Sequence, residues 1–99
     1  MIVSFRDSAT EDIFHGKSSK AARRTCPRML WRVVARKLEQ LDSVVTLDDL
    51  RAPPGNRLEL LSGDRKGQHC IRVNEQYRIC FQWTDAGPDR VEVTDYHQS

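Results

Sequence analysis

The sequence has no long hydrophobic run and no pattern of a secretion leader. No stretch approaches the roughly 18 consecutive apolar residues that a membrane-spanning helix needs. The opening residues MIVSFRDSATED lack the order of basic and then apolar residues that is typical of a signal peptide. We therefore expect a cytoplasmic protein. Of its 99 residues, 38% are hydrophobic and 30% are charged, so we expect residues 1–99 to form one globular domain.

Cysteine is scarce, and no motif for a metal or a cofactor is present. Cys26, Cys70 and Cys80 are odd in number, widely spaced and without a C-x-x-C pair, which argues against a zinc site or a disulfide framework. Cys80 lies in an alternating apolar run and is expected to be a packed thiol. The sequence also lacks a Walker loop, a metal-ligand spacing and a Ser/His/Asp constellation in a supporting context. We expect neither a metal nor a cofactor.

Acidic residues are missing from Ile13 to Leu38, although the net charge of the whole chain is only +2. The same segment carries eight positive charges, on Lys17, Lys20, Arg23, Arg24, Arg28, Arg32, Arg36 and Lys37. A block of this kind can neutralise the phosphates of a nucleic acid. It can equally be the solvated face of a helix, and charge alone does not decide between the two.

The first half of the chain is typical of helices after one short strand. Residues 2–5 favour a strand, and Ser8 with Glu11 has the pattern of a helix N-cap and capping box. Residues 16–25 are polar and basic, and indicate a flexible connection or a loosely helical arm. A helix with one apolar stripe is then predicted from the spacing of Leu30, Val34, Leu38 and Leu41. Lys37 falls within that stripe, so we expect its ammonium group to snorkel to water.

The second half has a period of two and is typical of short strands joined by tight turns. The alternating segments are residues 58–60, 69–73, 77–83 and 90–95, with the last turn at residues 85–89. Short turns require antiparallel neighbours, and an amphipathic helix must cover one face of the sheet. The expected fold class is therefore α+β, with two layers.

Arg78 stands in the middle of an otherwise apolar strand, where an unsolvated charge is costly. It is expected to point away from the helices, either paired with Asp95 or Glu92 on a neighbouring strand or holding a phosphate. Parity puts Asp95 on the side of Val91 and Val93, so we expect the strand to end or twist near it.

The terminal pair Tyr96-His97 could stack on a base and transfer a proton, although a histidine so near the end is often incidental. Arg65 and Lys66 lie in a turn where the charges are either solvated or available to RNA. Cleavage of RNA through its 2′-hydroxyl needs a base, an acid and cations at the phosphate, which are the types of residue seen here.

Several stretches together resemble the HigB-type branch of the RelE/ParE toxin superfamily. They are GNRLELLSGDRKGQHCIRVNEQYRICFQW with its lead-in LRAPPGNRL, the terminal VEVTDYH, the opening MIVSFRD and the helix end RKLEQLD. The resemblance covers nearly the whole chain apart from residues 16–28. It implies a small twisted antiparallel sheet of four to five strands packed against two N-terminal helices.

The resemblance also implies a toxin of a type II toxin–antitoxin module. Many members cleave messenger RNA during translation, in the decoding site of the ribosome. Their partner is a helix-turn-helix antitoxin of the HigA type, and the complex commonly binds its own operator DNA. Other members with this fold inhibit growth without an RNase activity, by poisoning gyrase, and a ribosome-binding protein without activity is a third possibility.

Matched residue by residue, the family pattern assigns phosphate stabilisation to Arg78 and proton transfer to His97. Tyr96 would stack on or position a base, and Asp95 would orient one of these groups. Glu59 stands where some relatives have a histidine, and could act as a base. Ser62 stands where they have a lysine. The expected RNA contacts are those of Arg65 and Lys66, together with the basic residues Lys17, Lys20, Arg23, Arg24, Arg28, Arg32 and Arg36.

Overall fold

Residues 1–95 are described by the structure, a computed structural model, and they fold into a helical layer and a four-stranded antiparallel sheet. The helices are α1 (Ser8–Phe14), α2 (Lys20–Thr25) and α3 (Trp31–Ser43). The strands are β1 (Glu59–Leu60), β2 (His69–Arg72), β3 (Tyr77–Thr84) and β4 (Gly87–Asp95), and they lie in the sheet in chain order. The prediction of an α+β fold is confirmed. None of the helices in this part of the chain has the length and apolar composition needed to cross a membrane.

Helix α3 covers one face of the sheet with three residues of the predicted stripe, while the fourth, Leu30, precedes the helix and is partly buried. Val34, Leu38 and Leu41 are fully buried, and they share a core with residues of the sheet, namely Ile71, Ile79, Phe81, Val91 and Val93. Burial of each large apolar side chain contributes about 1.5–3 kcal/mol to folding. This shared core fixes which side of β3 and β4 faces the helices.

Lys37 is buried and does not snorkel, so that prediction is wrong. Its Nζ donates a hydrogen bond to Oδ1 of Asn56, a fully buried side chain. The Asn56 amide nitrogen in turn donates to the carbonyl oxygens of Leu50 and Ala52, at 3.1 and 3.3 Å. Burial, followed by the charge of Arg36, lowers the pKa of Lys37. The prediction failed because the partner comes from a loop 19 residues downstream, which helical periodicity does not reveal.

The N-terminal segment is extended, but it pairs with β4 through one parallel bridge, between Phe5 and Val91, and is not a full strand. Strand β4 begins at Gly87 and not at the predicted residue 90, because residues 87–89 pair with the end of β3, and the N–H of Val3 donates to the carbonyl oxygen of Pro88 from the other side. Gly87 has φ +125°, and a Cβ there would collide with the carbonyl oxygen of Met1. The close approach of Met1 explains a glycine at a position expected to be part of a turn.

Helix α1 is capped one residue earlier than predicted. The N-cap is Asp7, whose Oδ1 accepts a hydrogen bond from the Thr10 backbone N–H at 2.8 Å, and Ser8 is the first helical residue. The hydroxyl oxygen of Thr10 also accepts a hydrogen bond from the Val93 N–H, at 3.0 Å. Thr10 therefore connects the capped end of α1 to β4.

The substitution Asp7→Ala is expected to lower the free energy of unfolding by about 1 kcal/mol, the usual cost of losing an N-cap side chain. Ser8→Ala is the matched control and is expected to change it by no more than about 0.5 kcal/mol. Urea denaturation followed by circular dichroism measures both. A larger loss for Ser8→Ala would show that the cap is misassigned.

Candidate active site

The sheet has a second face, which we call the outer face because it points away from the helices. Strand register aligns its residues in two rows. One row is Glu59, Cys70, Cys80 and Glu92, and the other is Arg72, Arg78 and Thr94. Tyr77, Ile79 and Phe81 have the opposite parity and lie in the core. The expectation that Arg78 points away from the helices is confirmed.

Arg78 is held in place by the backbone of the β2–β3 turn. Its Nη1 donates to the carbonyl oxygens of Asn74 and Tyr77, the latter at 3.1 Å. A hydrogen bond to an uncharged carbonyl oxygen orients a guanidinium group without neutralising its positive charge. The planar guanidinium can donate to two oxygens of a phosphate at once, so Arg78 has the chemistry required at a transferring phosphate.

Glu92 is a buried carboxylate on the outer face, where the sequence indicated only a partner for Arg78. Its Oε1 accepts a hydrogen bond from Nη1 of Arg65 at 2.6 Å, and its Oε2 lies 3.5 Å from Nε of Arg6. Arg65 also donates to Oε1 of Gln68 at 3.1 Å. Alternation with Val91 and Val93 predicts the direction of Glu92. Its partner Arg65 is 27 residues away, and no local pattern indicates that contact.

The ion pair of Arg65 with Glu92 is largely shielded from water, since the two side chains are 27% and 11% exposed. Arg65 is therefore not a freely solvated turn residue. Its hydrogen bond to Glu92 holds it over the same face of the sheet as Arg78. Lys66, the next residue, is exposed.

Glu92→Gln is expected to lower the free energy of unfolding by about 1–3 kcal/mol, because the shielded ion pair becomes a hydrogen bond from Arg65 to an uncharged amide and the carboxylate charge beside Arg65 and Arg6 is lost. The matched control is Asp48→Asn. It removes a pair of the same length, 2.6 Å, in which Arg51 and Asp48 are 69% and 80% exposed. The control should cost less than about 1 kcal/mol. Equal losses in urea denaturation would refute the structural role of Glu92.

Two other predicted catalytic residues, Glu59 and Asp95, lie on opposite sides of the sheet. Glu59 is exposed on β1, in the same row of the outer face as Glu92. Asp95 lies opposite Tyr77, and so has the parity of the core residues and not that of Arg78. Its Oδ2 accepts a hydrogen bond from Nε2 of Gln76 at 2.9 Å. The expectations for Tyr96 and His97 fall outside the described residues.

Apart from the buried Lys37, the basic residues of the helical layer are exposed, as expected of a solvated or phosphate-binding surface. Lys17 precedes α2, Lys20, Arg23 and Arg24 belong to α2, Arg28 lies in the turn before α3, and Arg32 and Arg36 belong to α3. Arg28 packs over the ring of Trp31, with Cζ 5.7 Å from the ring centroid. Within residues 1–95 no group of three or more His, Cys, Asp or Glu side chains is arranged to hold a metal ion.

Comparison with known proteins identifies the family of the chain. A sequence model of the RelE-like toxin of the type II toxin–antitoxin system HigB matches residues 3–97. The chain belongs to this HigB family. It is therefore a type II toxin, a class that implies an antitoxin as partner. The matched span includes Glu59, Arg65, Arg78 and the terminal Asp-Tyr-His.

Two relatives show how far the similarity extends. The chain is 42% identical over 85 residues to Toxin HigB-1 of Vibrio cholerae serotype O1 (strain ATCC 39315 / El Tor Inaba N16961), which covers 86% of either protein. It is also 42% identical over 57 residues to an uncharacterized protein of Haemophilus influenzae (strain ATCC 51907 / DSM 11121 / KW20 / Rd), covering 58% of this chain and 56% of that protein. The first similarity supports the family membership along most of the toxin.

Proposed function

We propose that this toxin is a metal-independent, ribosome-dependent endoribonuclease that cleaves messenger RNA during translation and thereby arrests growth. One observation carries the proposal: the guanidinium groups of Arg78 and Arg65 and the carboxylate of Glu59 share the outer face of the sheet. Two of the proposed catalytic residues, Arg78 and Glu59, are therefore supported by a common surface and not only by a family motif. Of the other three, Asp95 ends β4 with the opposite parity, and Tyr96 and His97 follow it in the sequence.

In the proposed reaction the 2′-hydroxyl of the message attacks the adjacent phosphorus atom. A base takes the 2′-hydroxyl proton, the new bond joins the 2′-oxygen to phosphorus, and the bond to the 5′-oxygen breaks as an acid protonates that oxygen. His97 transfers a proton and Glu59 is available as the base. Arg78 stabilises the charge that grows on the phosphate oxygens.

The supporting residues have separate roles. Tyr96 stacks on or positions a base of the message. Asp95 orients a neighbouring group, which its position at the end of β4 permits even though its parity differs from that of Arg78. Arg65 and Lys66 contact the RNA backbone. The exposed basic residues from Lys17 to Arg36 are suited to ribosomal RNA, because cations that neutralise phosphates dominate nucleic-acid affinity.

The proposed partner in the resting cell is a helix-turn-helix antitoxin of the HigA type. We take the toxin to be one domain of residues 1–99 in the cytoplasm. The complex of antitoxin and toxin binds the operator of its own genes. Two residues depart from the family pattern. Glu59 replaces a histidine that could transfer a proton, and Ser62 replaces a lysine that could contact a phosphate. We expect them to affect the rate of cleavage more than the position of the cut.

A purified system tests this function. A radiolabelled message is incubated with the toxin, either alone or with ribosomes that are translating it. The new 5′ ends of the message are then mapped. Cuts inside the reading frame that require ribosomes are the expected result. Intact message in the presence of ribosomes would overturn the proposal. A parallel gyrase assay then distinguishes the two alternatives, since DNA breaks favour gyrase poisoning and inhibited translation without cuts favours ribosome binding.

A further inference from the structure

Two cysteines lie directly opposite each other on neighbouring strands, and the proposed function uses neither. Cys70 on β2 is the register partner of Cys80 on β3. Both are buried, at 1% and 0% exposure, and they form a small cluster with Leu61 on the outer face. The third cysteine, Cys26, is buried in the core on the other side of the sheet. All three are free thiols.

The register makes this pair suitable for a cross-strand disulfide. The N–H of Val73 donates to the carbonyl oxygen of Tyr77 at 3.0 Å, so Val73 and Tyr77 are a hydrogen-bonded pair of the two strands. Hydrogen-bonded and non-hydrogen-bonded pairs alternate along antiparallel strands. Cys70 and Cys80 lie three pairs further along and are therefore a non-hydrogen-bonded pair. In pairs of that kind the Cα atoms are roughly 4.5 Å apart, within the range of about 4.4–6.8 Å that a disulfide needs.

The two thiols are also chemically different from each other and from Cys26. The neighbouring Cys70 side chain, helped by the charges of Arg65 and Arg78, lowers the pKa of Cys80. The neighbouring Cys80 side chain, together with burial, raises the pKa of Cys70. Burial raises the pKa of Cys26 to about 11. Cys80 is thus the favoured nucleophile, and its resolving partner is already in contact with it.

We propose that Cys70 and Cys80 are a redox modification site that a hydroperoxide converts to an intramolecular disulfide. The Cys80 thiolate attacks one oxygen of hydrogen peroxide, an S–O bond forms as the O–O bond breaks, and Cys80 becomes a sulfenic acid. The other oxygen leaves as hydroxide and takes up the proton that the Cys80 thiol released, which gives the first water. The Cys70 sulfur then attacks the Cys80 sulfur, the S–S bond forms, and the sulfenic oxygen leaves as water. In total two thiols lose two electrons and two protons, and one hydrogen peroxide becomes two waters. This proposal does not rest on the proposed RNA cleavage.

Tryptic mapping of the whole folded toxin tests the proposal. Trypsin cleaves after Lys66, Arg72, Arg78 and Arg90, so the two cysteines fall on separate peptides, residues 67–72 and 79–90. The toxin is treated with hydrogen peroxide, and aliquots taken over time are alkylated, digested and analysed by mass spectrometry. We expect these two peptides to become linked, and to separate on reduction, before the Cys26 thiol is consumed.

The variants Cys26→Ser and Cys70→Ser make the test specific. Cys26→Ser should form the link at the wild-type rate. Cys70→Ser should give no linked peptide, and its Cys80 should stop at the sulfenic acid or be oxidised further. The proposal is overturned if the wild type keeps both thiols alkylatable until Cys26 is consumed, if Cys26 is linked to either partner, or if the two cysteines reach sulfinic acids without forming a link.

Discussion

Replacing Arg78 with alanine is expected to slow message cleavage by about 10²–10³-fold, the usual effect of removing one preorganised donor from a developing oxyanion. The structure supports an effect of this size because carbonyl oxygens of Asn74 and Tyr77 already hold the guanidinium in place. The rate is measured with saturating toxin on ribosomes that carry a defined message. Arg78→Lys should recover only part of the rate, because an ammonium group keeps the charge without the fork.

The matched control is Arg51→Ala, which removes an arginine that is 69% exposed and paired with Asp48, outside the outer face. Its rate of cleavage should equal that of the wild type. Circular dichroism and urea denaturation establish that both variants are folded. Wild-type cleavage by a folded Arg78→Ala variant would remove this residue from the catalytic set.

Asn56→Ala is expected to lower the free energy of unfolding by about 3 kcal/mol, a large fraction of the roughly 5–15 kcal/mol available to a domain. The substitution leaves the buried ammonium of Lys37 without its Asn56 acceptor and takes the side-chain donor away from the carbonyl oxygens of Leu50 and Ala52. Most of the cost is expected to come from Lys37, because a buried charge without compensation is more expensive than a lost neutral hydrogen bond.

A double-mutant cycle in urea denaturation separates these contributions. Lys37→Met replaces the charged side chain by an apolar one of similar length and is expected to cost less than half as much as Asn56→Ala. The double variant should be more stable than Asn56→Ala alone, because the stranded charge is gone. If the two costs simply add, the contact between Lys37 and Asn56 does not carry the stability assigned to it.

Local periodicity was sufficient to predict the two layers. Spacing alone identified the buried stripe of α3, as Val34, Leu38 and Leu41 show, and alternation alone placed Arg78 on the side away from the helices. Both patterns depend only on the geometry of one helix or one strand, so they survive in the folded chain. Parity also correctly predicted that Asp95 and Arg78 lie on different sides of their strands.

Contacts between distant segments were not predictable in the same way. Lys37 is buried by Asn56, Glu92 is paired with Arg65, and Gly87 is required by the approach of Met1. Each of these depends on a partner that the chain brings back from far away in sequence. The capping error at Ser8 has a more local origin, since Asp7 and Ser8 are both good caps and the helix start is shifted by one residue.

The most direct test of the central account is the map of message 5′ ends in cells that express the wild-type toxin, Arg78→Ala or His97→Ala from a tightly controlled promoter. The account predicts new ends within translated codons and growth arrest for the wild type, and neither for the two variants at equal protein levels. Cuts within translated codons that persist in both variants would contradict the assignment of the active site to the outer face and the terminal Tyr96-His97.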